Sequence, residues 1–124
     1  MIALRDNSPA VVSPGIYPML YAFFDDRGVL RQDPFRRQVD AALGTQAAGV
    51  AILGLGTEVS KLTFDERIEV LEVVAERIEG RKPLLATVYG DTITEQIEFS
   101  KRAIQSGASA LMLQPPSQKM DDAK

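Results

Sequence analysis

The residues best suited to chemistry in this 124-residue chain fall in one run, Val50-Ala51-Ile52-Leu53-Gly54-Leu55-Gly56-Thr57-Glu58. An apolar stretch stops at two glycines one residue apart, and a hydroxyl and a carboxylate come next. Without a Cβ in the way, main-chain N–H groups beside glycine can approach an anion closely. The Gly54-Leu55-Gly56 loop is therefore a candidate binding loop for a phosphate or a small carboxylate. A plain strand-to-helix turn with no ligand explains the same glycines, since such a pair is a weak signal by itself. Glu58 reads as structural, holding the loop by accepting backbone donors.

Other candidates are weaker. Tyr89 and Asp91 could form an acid/base pair, but aspartate after a strand more often sets turn geometry. Asp25 and Asp26 could suggest a cation, yet a magnesium site needs oxygens converging from several segments. No metal, no cofactor and no catalytic residue is assigned within this chain. Cysteine and histidine are both absent, which excludes disulfides, thiol nucleophiles, Cys/His zinc sites and triads with an imidazole base.

These residues need a scaffold. With 45% hydrophobic and 25% charged residues the chain suits one globular domain. A formal charge of -3 without a basic run gives no footprint for nucleic acid or an anionic membrane. No apolar run is long enough to span a bilayer, and residues 1–6 lack the regions of a signal peptide, so the cytoplasm is the expected compartment.

The pattern predicts strands over 15–24, from Val50 up to the glycines at 54 and 56, over 84–88 and over 110–113, alternating with three helices. Pro18 weakens the first strand, because it cannot donate to a ladder. Asp25-Asp26-Arg27-Gly28 is turn chemistry. Asp33-Pro34 predicts a helix cap with proline at the first helical position, a helix running to about Ala48, and Gly49 as its stop. Thr63 with Glu66, and Thr92 with Glu95, have capping-box spacing. Gly80 and Gly107 end those helices, with Ile97, Ala103 and Ile104 on the buried face of the last one. Strands alternating with helices imply right-handed crossovers and a parallel sheet, either a small open sheet or half of an eight-stranded barrel.

Several separated landmarks resolve that choice by resemblance. Gly15-Ile16-Tyr17-Pro18-Met19-Leu20, Phe24-Asp25-Asp26-Arg27-Gly28 and Asp33 resemble the opening of the dihydrodipicolinate synthase and N-acetylneuraminate lyase family. Gly54 to Glu58 falls at that family's Gly-Thr-Thr-Gly-Glu-like loop. Leu62-Thr63 and Glu66-Arg67 match the helix after that loop, and Pro83 and Ala86 match the next strand. Gly107-Ala108, Ala110 and Pro115-Pro116 resemble the family's later segments. The resemblance implies an α/β fold of parallel βα units forming the first half of a (β/α)8 TIM barrel, with residues 1–14 as an arm and 15–124 as four strands and three helices.

It also implies a lyase or aldolase that forms a Schiff base with pyruvate or a related 2-keto acid and joins it to, or splits it from, an aldehyde. The family's Schiff-base lysine and proton-relaying tyrosine lie beyond Lys124. Lys61, Lys82, Lys101, Lys119 and Lys124 match neither position. The two family threonines fall at Leu55 and Gly56, leaving Thr57 as the nearest hydroxyl, so the resemblance implies that Gly56 and Thr57 bind the substrate carboxylate through their main-chain N–H groups; the adjacent family tyrosines fall at Ser117 and Gln118. These departures imply a divergent branch. The chain is thus expected to be the N-terminal part of such an enzyme, completed by a missing half or by homo-oligomer formation. The alternative is a non-catalytic α/β module for assembly or small-carboxylate binding.

Overall fold

A computed structural model describes residues 9–115. Most of the predicted arm, together with Pro116, Ser117, Gln118, Lys119 and Lys124, lies outside the described residues. Three strands, β1 (Val50–Ile52), β2 (Leu84–Val88) and β3 (Ala110–Leu113), pair in parallel in the order β1-β2-β3. They alternate with α1 (Asp33–Leu43), α2 (Phe64–Ile78) and α3 (Ile93–Ser106). The register sets Val50 against Leu84 and Leu85 against Ala110.

The strand predicted over 15–24 is reduced to two isolated bridges, Met19 to Ala51 in parallel and Phe24 to Leu30 antiparallel. Ala51 N–H donates to Pro18 O, and Leu20 N–H donates to Ala51 O, both at 2.9 Å. Pro18 thus contributes its carbonyl where it has no N–H to offer, so the segment stays attached at the sheet edge without a regular ladder. Beyond it, the Asp25 carboxylate accepts from Arg27 N–H and Val29 N–H, and Gly28 has φ 79°. This is the turn the sequence predicts.

Alternation along the strands separates two faces. Val50, Ile52, Leu84, Ala86 and Val88 join Phe35 and Val39 of α1, Leu71 and Val74 of α2, and Phe99 and Ala103 of α3 in one core. The three helices therefore cover the same side of the sheet. Ala51, Leu85 and Thr87 alternate to the other side.

Helix α1 departs from expectation at both ends. Gln32, not Asp33, is the N-cap, and no side chain bonds there. Asp33 instead opens the helix and pairs with Arg36 at 2.8 Å. The helix stops at Leu43, ahead of the expected Ala48. Thr45 Oγ1 donates to Ala42 O, and Lys82 Nζ donates to the carbonyls of Ala42, Thr45 and Ala47. Ala42 O, one of the last carbonyls of α1, is thus satisfied from outside the helix, and the chain that follows is tied down through the carbonyls of Thr45 and Ala47. Gly49 is not the stop but a point of close approach: a Cβ there would stand 2.6 Å from Tyr17 Cε1.

The Thr63–Glu66 capping box is complete, with each partner's side chain bonded to the other's N–H. Helix α2 ends with Glu79 at φ 52°, next to Gly80 at φ 68°. Thr92 accepts from Glu95 N–H, but Glu95 does not return the bond, because its carboxylate is drawn to Arg67. Gly107, at φ 100°, closes α3 as predicted. Between α1 and α2, Arg77 donates from Nε and Nη2 to both Asp40 oxygens. Hydrogen bonding to that guanidinium holds the Asp40 carboxyl below the ordinary aspartate range.

The buried face of α3 differs from the expected one. Phe99 (1% exposed) and Ala103 fill the core, while Ile97 and Ile104 are 51% and 60% exposed. Phe99→Ala is therefore expected to cost about 3–5 kcal/mol in urea unfolding. Ile97→Ala, at an exposed site, should cost within about 0.5 kcal/mol. Equal losses for the two variants would contradict the observed orientation of α3.

Candidate functional site

In a parallel sheet the loops at the C-terminal strand ends carry the chemistry, and here those loops are residues 53–58 after β1 and 89–91 after β2. Between β1 and α2 the chain turns through Leu53 at φ 64° and Glu58 at φ 57°. Two non-glycine residues in the left-handed region carry strain of about 1–2 kcal/mol each, so something must hold them.

Thr57 does so. Its hydroxyl accepts from Leu53 N–H at 3.0 Å and donates to Leu20 O. At 1% exposure it is sealed between the edge segment and the loop. The turn closes with Glu58 N–H to Leu55 O (2.9 Å), and a 3₁₀ turn, Val59–Lys61, leads into α2. Glu58 does not accept from the backbone as expected. Its exposed carboxylate pairs instead with Lys61 at 3.0 Å.

The hydroxyl of Thr57 is thus committed to the fold, and what Gly56 and Thr57 can present to a ligand is main chain. Among the described residues, neither N–H donates a hydrogen bond. An unbonded N–H in a residue as buried as Thr57 is costly unless something completes it. Gly54 and Gly56 are glycine for a different reason from the one expected. A methyl on Gly54 would overlap the end of Met19, and one on Gly56 would meet Met19 Cγ at 3.0 Å. Met19 occupies the room the glycines leave, and its sulfur accepts from Gly54 N–H at 3.3 Å.

The second loop hangs on Arg67, a residue the sequence flags only as a landmark. Arg67 is 5% exposed, and its guanidinium donates to Tyr89 O, to a Glu95 carboxylate oxygen and to Thr63 O. It lies 5.6 Å from the centroid of the Phe64 ring and 5.4 Å from that of Tyr89. Glu95, paired with Arg67, also accepts from Asp91 N–H, so it is unavailable to complete a capping box with Thr92. Tyr89 and Asp91 belong to this scaffold. Gln96 completes it, donating to Gly90 O and Gln114 O.

Other groups stand apart from the loops. A groove of about 730 Å³ runs between residues 15–21 and α1, lined mainly by apolar side chains such as Ile16, Pro18 and Ala41. Lys61 pairs with Glu58, Lys82 caps α1, and Lys101 is exposed on α3. Among the described residues, no three His, Cys, Asp or Glu side chains gather to hold a metal, and no helix is long and apolar enough to cross a membrane.

Parallel βα units with helices on one face and polar loops at the strand ends define part of a (β/α)8 barrel. The chain belongs to the Dihydrodipicolinate synthetase family, which it matches over residues 13–119. It is 33% identical over 89 residues to the 4-hydroxy-tetrahydrodipicolinate synthase of Pelobacter propionicus, covering 72% of this chain and 31% of that protein. The Salinibacter ruber enzyme of the same name is 28% identical over 102 residues, covering 82% of this chain and 34% of that one. Among solved structures, a dihydrodipicolinate synthase family protein from Coccidioides immitis superposes with TM-score 0.81 at 25% identity, over 90% of this chain and 37% of its own. N-acetylneuraminate lyase from Mycoplasma synoviae gives TM-score 0.79 at 25% identity, over 88% and 38%. The chain spans about a third of the length of the curated relatives it matches.

Two substitutions test how the loops are held. Thr57→Val leaves Leu53 N–H without its acceptor and Leu20 O without its donor, and is expected to cost about 2–3 kcal/mol in chemical unfolding. Thr57→Ser, which keeps both bonds, should cost about 1 kcal/mol for the lost methyl. Arg67→Ala strands Glu95 and Tyr89 O and is expected to cost about 3 kcal/mol. Wild-type stability in Thr57→Val or Arg67→Ala would show that these bonds do not hold the loops.

Proposed function

We propose that this chain is the N-terminal part of a Schiff-base-forming lyase or aldolase acting on pyruvate or a related 2-keto acid with an aldehyde partner. In this reading the loop after β1 supplies the carboxylate-binding groups, the N–H groups of Gly56 and Thr57. The observation that carries it is that these two amides donate no hydrogen bond among the described residues, at the strand ends where a barrel of this family places its chemistry.

The lysine that forms the Schiff base comes from outside this chain. None of the described lysines stands on a strand: Lys61 is in the 3₁₀ turn, Lys82 precedes β2, and Lys101 lies on α3. A primary amine must reach the keto carbon to form the imine, and these three are engaged or turned to solvent elsewhere. This chain's own contribution is to bind and orient the acid with neutral donors. A cytoplasmic homo-oligomer is the setting this reading assumes. The same placement of lysines favours the second reading, a non-catalytic module that binds a small carboxylate.

Trapping with borohydride separates the two. After incubation with pyruvate and sodium borohydride, the 124-residue chain alone is expected to keep its mass. Protein from the natural source is expected to carry a reduced pyruvate adduct on a lysine outside residues 1–124. An adduct on Lys61, Lys82 or Lys101 would overturn the placement of the amine, and no adduct in the natural protein would leave the binding module as the function.

A further inference from the structure

One buried polar group plays no part in holding the fold. Thr87, near the C-terminal end of β2, is 3% exposed, and its hydroxyl has no hydrogen-bond partner among the described residues. The other buried polar side chains, Thr57 and Arg67, are bonded to their surroundings. A hydroxyl that bonds nothing within the fold can serve a partner from outside it.

Its position supplies one. Alternation along β2 turns Thr87 away from Leu84, Ala86 and Val88, which form the helix-facing core. It therefore stands on the face that would line the barrel interior. No side-chain nitrogen or oxygen among the described residues is both sealed from solvent and unbonded, so Oγ1 must keep a small opening. It also lies beside the candidate loop: a methyl group on Gly54 would stand 3.6 Å from Thr87 Oγ1. The Gly54 N–H there is matched only by the Met19 thioether at 3.3 Å, a weak acceptor. An unbonded hydroxyl, a weakly bonded amide and the unbonded amides of Gly56 and Thr57 thus belong to one end of the sheet.

We infer that Thr87 is a substrate-binding residue, its hydroxyl donating to the carboxylate of the small 2-keto acid held by the loop after β1. The inference rests on the proposed carboxylate-binding role of Gly56 and Thr57. It also assigns the hydroxyl contact to β2, since the Thr57 hydroxyl is committed to Leu20 O and Leu53 N–H.

The test is titration of the ¹⁵N-labelled protein, at the length its natural source makes, with pyruvate, tracking the Gly54, Gly56 and Thr57 amide resonances. Wild type is compared with Thr87→Val, which keeps the β-branched shape, with Thr87→Ala, and with Thr87→Ser, which keeps the hydroxyl. Pyruvate is expected to shift the loop resonances in wild type and Thr87→Ser with similar Kd. Thr87→Val and Thr87→Ala should bind roughly ten-fold more weakly, the size of one hydrogen bond to a charged acceptor. Unchanged Kd in Thr87→Val and Thr87→Ala would overturn the role of Thr87 while leaving the loop reading intact. Absence of shifts in wild type would overturn both.

Discussion

The hydroxyl of Thr57 is the point on which this end of the molecule depends. It joins three pieces of backbone that local preferences do not hold together: the proline-interrupted segment at Leu20, the left-handed Leu53, and the loop it sits in itself. The edge segment bridges β1 only at Met19, so a side-chain bond to Leu20 O does part of the work a regular ladder would otherwise do. Leu53 is fully buried and takes on conformational strain to be so. The bond from its N–H to Thr57 Oγ1 holds that arrangement, and it fixes where the Gly56 and Thr57 amides point.

Arg67 does for the second loop what Thr57 does for the first, by a different means. A buried guanidinium is costly unless its donors are matched, and here the carbonyls of Thr63 and Tyr89 and the Glu95 carboxylate match it. The aromatic rings of Phe64 and Tyr89 lie within cation–π range. The result links the start of α2, the loop after β2 and the start of α3. Both loops are therefore positioned by rigid elements, as a site built from main-chain donors requires, since such donors cannot adjust by changing rotamer.

What is legible in the sequence is what depends on neighbours along the chain. The Thr63–Glu66 box, the Asp25 turn and the Gly107 stop each rest on contacts within a few residues. What is not legible depends on groups brought from afar. Past the early end of α1, Lys82, tens of residues later in sequence, holds the chain by bonding Ala42 O of the helix and the carbonyls of Thr45 and Ala47 beyond it. Glu95 leaves its capping box because Arg67 claims it. The glycines of the loop announce close approach correctly, but the group that approaches is Met19. The unexpected face of α3 has a related cause. Ile97 and Ile104 are apolar yet exposed, as is Ile93, so α3 carries a second apolar side that composition cannot rank against the first.

The chemistry available here is set by what the chain lacks as much as by what it holds. With no histidine and no cysteine, no side chain has an ordinary pKa between about 5 and 8. The Asp40 carboxyl moves down and the Arg77 guanidinium moves up, both away from neutrality and both through their shared hydrogen bonds. The donors at the candidate site, three amides and a hydroxyl, are neutral and keep their form across that range. Such a set can bind and orient a carboxylate, but it cannot deliver or accept protons at neutral pH in the way a general acid or base must. In the proposed reading this divides the labour within the barrel: the described strand ends hold the acid, while the amine and the proton transfers belong to later strands.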